Sequence, residues 1–138
     1  MCTQMHGMVL TNTRGDACSN AITWQDQRGS LRRIGAGGGS DQGMMSYVEW
    51  LEDRLSPELR MDLGNELRPG IPISTLAWLT QEGDLPDEEL QVVSLPDYVL
   101  SQLSQQPAVV DPTNAASYGL FDVRRGKWSA EPLQAGGL

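Results

Sequence analysis

Histidine is almost missing from this 138-residue chain: there is one, His6, beside two cysteines, Cys2 and Cys18. Two cysteines are too few for a disulfide scaffold. Zinc-like ligand spacing is missing as well, because Cys2 and His6 supply at most two ligands and no second pair follows. A single His must serve every catalytic candidate, so no Cys–His or Ser–His–Asp constellation is defensible. Basic charge is also scarce. Ten Lys and Arg stand against 18 Asp and Glu, for a formal net charge of −8 and a pI of about 4.4. Such a surface repels phosphate backbones and anionic lipid, which argues against nucleic-acid and membrane partners. No apolar run approaches the roughly 18 residues that cross a bilayer. The opening "MCTQMHGMVL" has neither the basic start nor the long apolar stretch of a signal peptide. A cytoplasmic protein with reduced thiols is expected.

What is present is a chain of single-domain size with 39% hydrophobic residues. Its 15 Gly and 8 Pro make it loop-rich. Residues 5–10 and 21–24 are strand candidates, joined by a turn-rich loop over 11–20. The Gly-rich stretch within 29–43, containing "GAGGGS", predicts a flexible loop. It lacks the Lys and Ser/Thr of a phosphate-binding P-loop. Ser40 or Asp41 is expected to cap a helix reaching Leu55, with Met44, Val48, Leu51 and Leu55 on one face. Ser56–Pro57 reads as an N-cap followed by Pro at the first helical position. A helix over 73–83 has Ser74 as candidate cap and Gly83 as stop. A strand over 90–94 leads into a helix over 96–104, with Leu95, Val99 and Leu103 on its inner side. A turn, an extended piece, the turn "RRGK" and a last helix capped by Ser129 close the pattern. Mixed strands and helices indicate an α/β domain.

Three places carry candidate chemistry, each with a structural alternative. His6 can hydrogen-bond a ligand hydroxyl through either ring nitrogen, and Gly7 beside it lets another backbone or a ligand approach. A hydrogen-bonded structural His fits the same pattern. In "WQDQR", the Trp24 face suits the C–H side of a sugar and Asp26 can accept from hydroxyls. A core Trp with Asp26 ion-paired to Arg28 is equally compatible. Asn114 can contact a hydroxyl, while Asp111 and Asn114 also fit simple turn stabilisation.

Five segments, "QMHGMVL", "ITWQDQRG", "ISTLAWL", "LPDYVLSQL" and "VVDPTNAASYGLFDVRRGKW", resemble in this order the sugar-binding lobe of the FGGY carbohydrate kinases. Within that family the resemblance is greatest to the kinases of sedoheptulose and xylulose. It covers nearly all of the chain except 29 to about 65. It implies a partial ribonuclease-H-like lobe of the actin and hexokinase type, with helical insertions. It implies ATP- and Mg²⁺-dependent phosphorylation of a sugar or polyol hydroxyl by the full-length enzyme, with no cofactor held by this piece. It places Met5 and His6 against the sugar, with Trp24 and Asp26 as wall and support of the pocket. The family's phosphate-binding hairpin upstream of "QMHG" has no counterpart here. Neither has its downstream Gly-rich "G-D" general base, nor its nucleotide lobe. Phosphoryl transfer needs all three functions. The expectation is therefore a fragment of the N-terminal domain, inactive alone. The alternative is a non-catalytic interaction protein derived from a kinase gene, associating through exposed sheet edges. A hydrolase using Asp26 or Asp111 with His6 has no marked nucleophile.

Overall fold

The computed structural model describes residues 4–32, 45–63, 67–82, 85, 87–131 and 134. Its centre is strand β1, Met8–Asn12, buried along its whole length. It is apolar without alternation at Met8, Val9 and Leu10, because it is flanked on both edges. One edge pairs antiparallel with β2, Leu90–Ser94, in the register Met8 to Ser94 through Asn12 to Leu90. On the other, Met8 bridges Ile22 and Thr11 bridges Ala17.

The first strand therefore starts later than the expected residue 5 and runs on to Asn12. Met5 and His6 form a turn, and His6 adopts a left-handed φ of 66° that no strand accommodates. The expected strand over 21–24 shrinks to Ile22, whose N–H and carbonyl both bond to Met8 at 2.8 Å. Past Ile22 the chain turns, Asp26 N–H donating to the Thr23 carbonyl at 3.0 Å. Gly70 presses on this turn. Its φ is +85°, and a Cβ there would lie 2.0 Å from the Trp24 carbonyl oxygen, so only glycine fits.

Helix α1 spans Tyr47–Arg54 behind a capping box, Ser46 accepting from the Glu49 N–H while the Glu49 carboxylate accepts from the Ser46 N–H. Its buried face is Tyr47, Trp50 and Leu51, continued by Leu55. The expected caps Ser40 and Asp41, Met44, and the "GAGGGS" stretch lie outside the described residues. At the start of the 29–43 stretch, Gly29 is buried in a 3-10 turn and Arg32 bridges Ser46. Helix α2, Pro57–Asp62, has the expected Ser56 cap and Pro at N1. Helix α3, Pro72–Glu82, begins before the expected cap. Ser74 lies inside it, fully buried, and a proline at the helix start sets the first turn instead. Gly83 lies outside the described residues.

Strand β2 matches its expected bounds and runs directly into helix α4, Leu95–Ser104, capped by Ser94. The inner side of α4 differs from expectation. Asp97 is its buried residue, whereas Leu103 near its far end is 76% exposed; the helix is tied to the segment before β1 at its first residue, where the Leu95 N–H bonds the Gly7 carbonyl. Helix α5, Pro112–Ala116, is capped by Asp111. The hairpin β3, Phe121–Asp122, and β4, Lys127–Trp128, encloses the expected "RRGK" turn. Residues 130, 131 and 134 are helical, in line with the last helix expected after Ser129. Asp62 holds Arg124 at 3.2 Å and accepts the Val123 N–H, which ties the hairpin to α2. The core joins β1 to the helices through Met8, Leu10, Tyr47, Leu51, Ile73, Leu76 and Leu120. Among the described residues both sheets are two-stranded and antiparallel.

Candidate functional site

His6 is held at its position by the backbone of a distant segment. Its Nδ1 lies 2.9 Å from the Ser117 carbonyl oxygen. A carbonyl only accepts, so Nδ1 carries the hydrogen and Nε2 of the neutral ring is left as an acceptor. The next residue, Gly7, is buried. Its carbonyl accepts the Leu95 N–H at 3.0 Å, and a Cβ would meet Leu95 Cβ at 3.4 Å. The left-handed His6 is thus pinned from both sides, by α5 through Ser117 and by α4 through Leu95. A non-glycine residue at this φ is uncommon, and it costs about 1–2 kcal/mol.

Around His6 lies an open pocket of about 310 Å³ lined by Gln4, Met5, His6 and Trp24. Met5 is 48% exposed and Trp24 44% exposed, so both offer apolar surface to whatever enters. Trp24 is accordingly not the core residue that its structural alternative requires. The turn at 23–26 carries its side chain outward, and Gly70 fixes that turn from behind.

Asp26 does not line this pocket. Its carboxylate is spent on Arg28, which gives two bonds from Nε at 3.1 and 2.9 Å, one from Nη2 at 2.6 Å and one from its backbone N–H at 2.9 Å. Burial pushes the carboxyl up, but the Arg28 bonds outweigh it and hold Asp26 below the usual carboxylate range. The Arg28 guanidinium also lies 5.0 Å from the centre of the Trp78 ring, which anchors the pair to α3. Asn114 is likewise occupied. Its Nδ2 donates to Asp111 Oδ2 at 2.8 Å, and its backbone carbonyl accepts from the Ser117 N–H and hydroxyl at 3.0 and 2.7 Å. It supports the very residue whose carbonyl holds His6.

The structure therefore brings Met5, His6 and Trp24 to one pocket and sets Asp26 and Asn114 behind it. Ser117 is the participant that sequence reasoning missed. It acts through a carbonyl, which every residue carries, so no side-chain signal points to it. Among the described residues no three His, Cys, Asp or Glu side chains converge as a metal site.

The model of the N-terminal domain of the FGGY family of carbohydrate kinases matches residues 1–138. The chain belongs to the FGGY family of carbohydrate kinases. FGGY relatives carry different substrates in their names. A gluconokinase of Bacillus subtilis strain 168 is 22% identical over 135 residues, which is 97% of this chain and 23% of that protein. A glycerol kinase of Methylibium petroleiphilum is 29% identical over 136 residues, 93% of this chain and 24% of that protein. A xylulose kinase of Klebsiella pneumoniae is 29% identical over 133 residues, 96% of this chain and 24% of that protein. The chain spans about a quarter of the length of these FGGY relatives. Membership in a kinase family implies ATP and Mg²⁺ use by full-length members. No helix among the described residues is long and apolar enough to cross a membrane.

Proposed function

We propose that this chain is the sugar-facing part of an ATP-dependent FGGY carbohydrate kinase that phosphorylates a hydroxyl of a ketose, such as xylulose or sedoheptulose, or of a polyol. The observation that carries the reading is the meeting of His6, Met5 and Trp24 in one pocket, with the His6 ring held through Nδ1 by the Ser117 carbonyl so that Nε2 is left as an acceptor. The Trp24 and Met5 surfaces take the apolar C–H face of the sugar, and His6 accepts a hydrogen bond from a hydroxyl. Asp26 and Asn114 act from behind, holding the Trp24 turn and the Ser117 carbonyl.

In this proposal the domain is a partial ribonuclease-H-like lobe working in the cytoplasm. The phosphate-binding hairpin, the general base and the nucleotide lobe come from polypeptide other than these 138 residues. The isolated chain binds sugar weakly and does not turn it over. Two measurements test this. A coupled ADP-release assay across ketoses and polyols is expected to stay at background, and turnover that co-purifies with the protein refutes it. An NMR titration with D-xylulose and glycerol is expected to move the His6 ring and Trp24 indole signals first. Shifts confined to other residues refute the site.

A second reading is favoured by a separate observation. Leu100, Leu103 and Val109 are exposed, and β2 pairs only with β1 among the described residues. An interaction protein derived from a kinase gene would associate through that surface. Light scattering that finds a defined homodimer without sugar binding supports it over the kinase reading.

A further inference from the structure

Along β2, two cavities adjoin and share Val92, Tyr118 and Trp128 in their walls. The larger, about 360 Å³, is walled by leucines, among them Leu10, Leu76 and Leu120. The smaller, about 270 Å³, ends on Ser94 and Asp97. Neither wall includes Met5, His6 or Trp24. Ligand pockets are commonly of this size and kind, apolar with a few convergent polar groups.

Two side chains here are poorly served by the protein itself. Tyr118 is 3% exposed, and its hydroxyl makes no hydrogen bond of ordinary geometry among the described residues, although the Ser94 hydroxyl is near enough to interact with it. Burial and the charge of Asp97 push its phenol well above the usual range, with the Ser94 hydroxyl opposing this only in part. The hydroxyl end of Tyr118 is therefore beside Ser94 and Asp97, at the polar end of the smaller cavity. Asp97 is 6% exposed. It accepts from the Ser94 hydroxyl at the start of α4, and among the described residues no Lys or Arg pairs with it. A buried acidic side chain with no cation beside it among the described residues, next to the Tyr118 hydroxyl and two aromatic rings, is complementary to a positive head group. The net charge of −8 adds a long-range attraction of the same sign.

We propose that the two cavities form one site for a small organic cation, an alkylammonium whose chain fills the leucine-lined cavity and whose head sits against Asp97, the Tyr118 oxygen and the Trp128 ring. The site goes beyond the sugar pocket but adjoins its anchor, since Tyr118 follows Ser117, whose carbonyl holds His6.

The test uses the 138-residue chain and n-hexylammonium, with n-hexanol and hexanoate as matched probes, read by calorimetry and amide NMR. Hexylammonium is expected to bind at least tenfold more tightly than hexanol, hexanoate not at all, with shifts centred on β2, Asp97 and Tyr118. Tyr118→Phe keeps the ring and is expected to weaken hexylammonium about three- to tenfold while leaving hexanol unchanged. Asp97→Asn keeps the acceptor for Ser94 and is expected to abolish the preference for the amine. Equal binding of amine and alcohol, shifts elsewhere, or an unchanged preference in Asp97→Asn overturns the proposal. Should Asp97→Asn fail to fold, an unaffected Tyr118→Phe overturns it by itself. A concentration-dependent dimer that excludes the amine assigns the cavities to a second copy of the chain and also overturns it.

Discussion

Replacing His6 separates a residue that binds sugar from one that only shapes a turn. The substitution to use is His6→Gly. Three effects act on stability. Loss of the Nδ1 bond to the Ser117 carbonyl costs about 1 kcal/mol. The flexibility of glycine in the unfolded chain costs about 0.5–1 kcal/mol. Release of the left-handed strain at φ 66° returns about 1–2 kcal/mol. These nearly cancel, so stability measured by urea unfolding is expected to shift by less than about 1 kcal/mol. Sugar binding has no such compensation. Removing the Nε2 acceptor leaves a substrate hydroxyl unpaired, which costs about 1–3 kcal/mol, roughly five- to a hundredfold in affinity. Calorimetric titration of the isolated chain measures this directly. In the full-length parent the same change is expected to raise the KM for sugar and to spare that for ATP. A variant that loses more than about 2 kcal/mol of stability yet binds sugar unchanged would show that His6 is a structural histidine, and the site assignment would fall.

Gly70→Ala is expected to cost about 3 kcal/mol or more, because left-handed strain adds to a Cβ placed 2.0 Å from a backbone oxygen that no rotamer change relieves. The same variant should shift Trp24 emission and weaken sugar binding, and intact binding would show that the Trp24 turn is independent of Gly70. Ser46→Ala removes the capping box of α1 and is expected to lower stability by about 1 kcal/mol in thermal unfolding, with no change in sugar binding. Asp26 has its folded pKa below the ordinary value of 3.8, so its contribution to stability is present above that value and is lost as pH falls through the lower folded one. Comparing wild type with Asp26→Asn between about pH 5 and pH 2 should show the two curves converging toward acid. Parallel curves would mean that the Arg28 pair does not act in stability.

The parts of the fold legible in the sequence are those where a local chemical signal and the tertiary structure agree. Ser56–Pro57 caps α2, and the strand at 90–94 turns into α4 at Ser94, because cap and proline chemistry act within one turn. Ser46-Tyr47-Val48-Glu49 carries the same kind of signal, an S-x-x-E capping box, and it marks the start of α1 better than the apolar spacing that points to Ser40 or Asp41. Strand bounds were harder to read. The period-two pattern cannot distinguish a buried central strand from its flanking turn, so the left-handed turn at Met5 and His6 is hidden in an apolar-looking run. The inner side of α4 misleads for a related reason. Leu95, Val99 and Leu103 have helical spacing, but spacing says nothing about how far along the helix its neighbours extend, and the helix is shielded over residues 95–99 while 102–104 are exposed.

The candidate site shows the same division at longer range. Residue types mark its surface: a His, a Met and a Trp that would be odd choices for loops unless they met something. Their support is not marked. The Ser117 carbonyl that fixes the His6 tautomer is 111 positions away and could belong to any residue. Its location depends on Asp111 capping α5 and on Asn114 and Ser117 closing the last turn. "DPTNAAS" therefore matters to the site as a backbone-shaping device, one that puts a single oxygen where the His6 ring needs it. In the proposed reading of the site, Asn114 acts as a positioning residue. Asn114→Ala is expected to weaken sugar binding only about two- to fivefold, through a looser Ser117 carbonyl, because its loss removes one side-chain hydrogen bond and no contact within the pocket. The His6 ring signals should broaden at the same time. A loss as large as that of His6→Gly, with those signals unchanged, would instead place the Asn114 side chain in direct contact with the sugar.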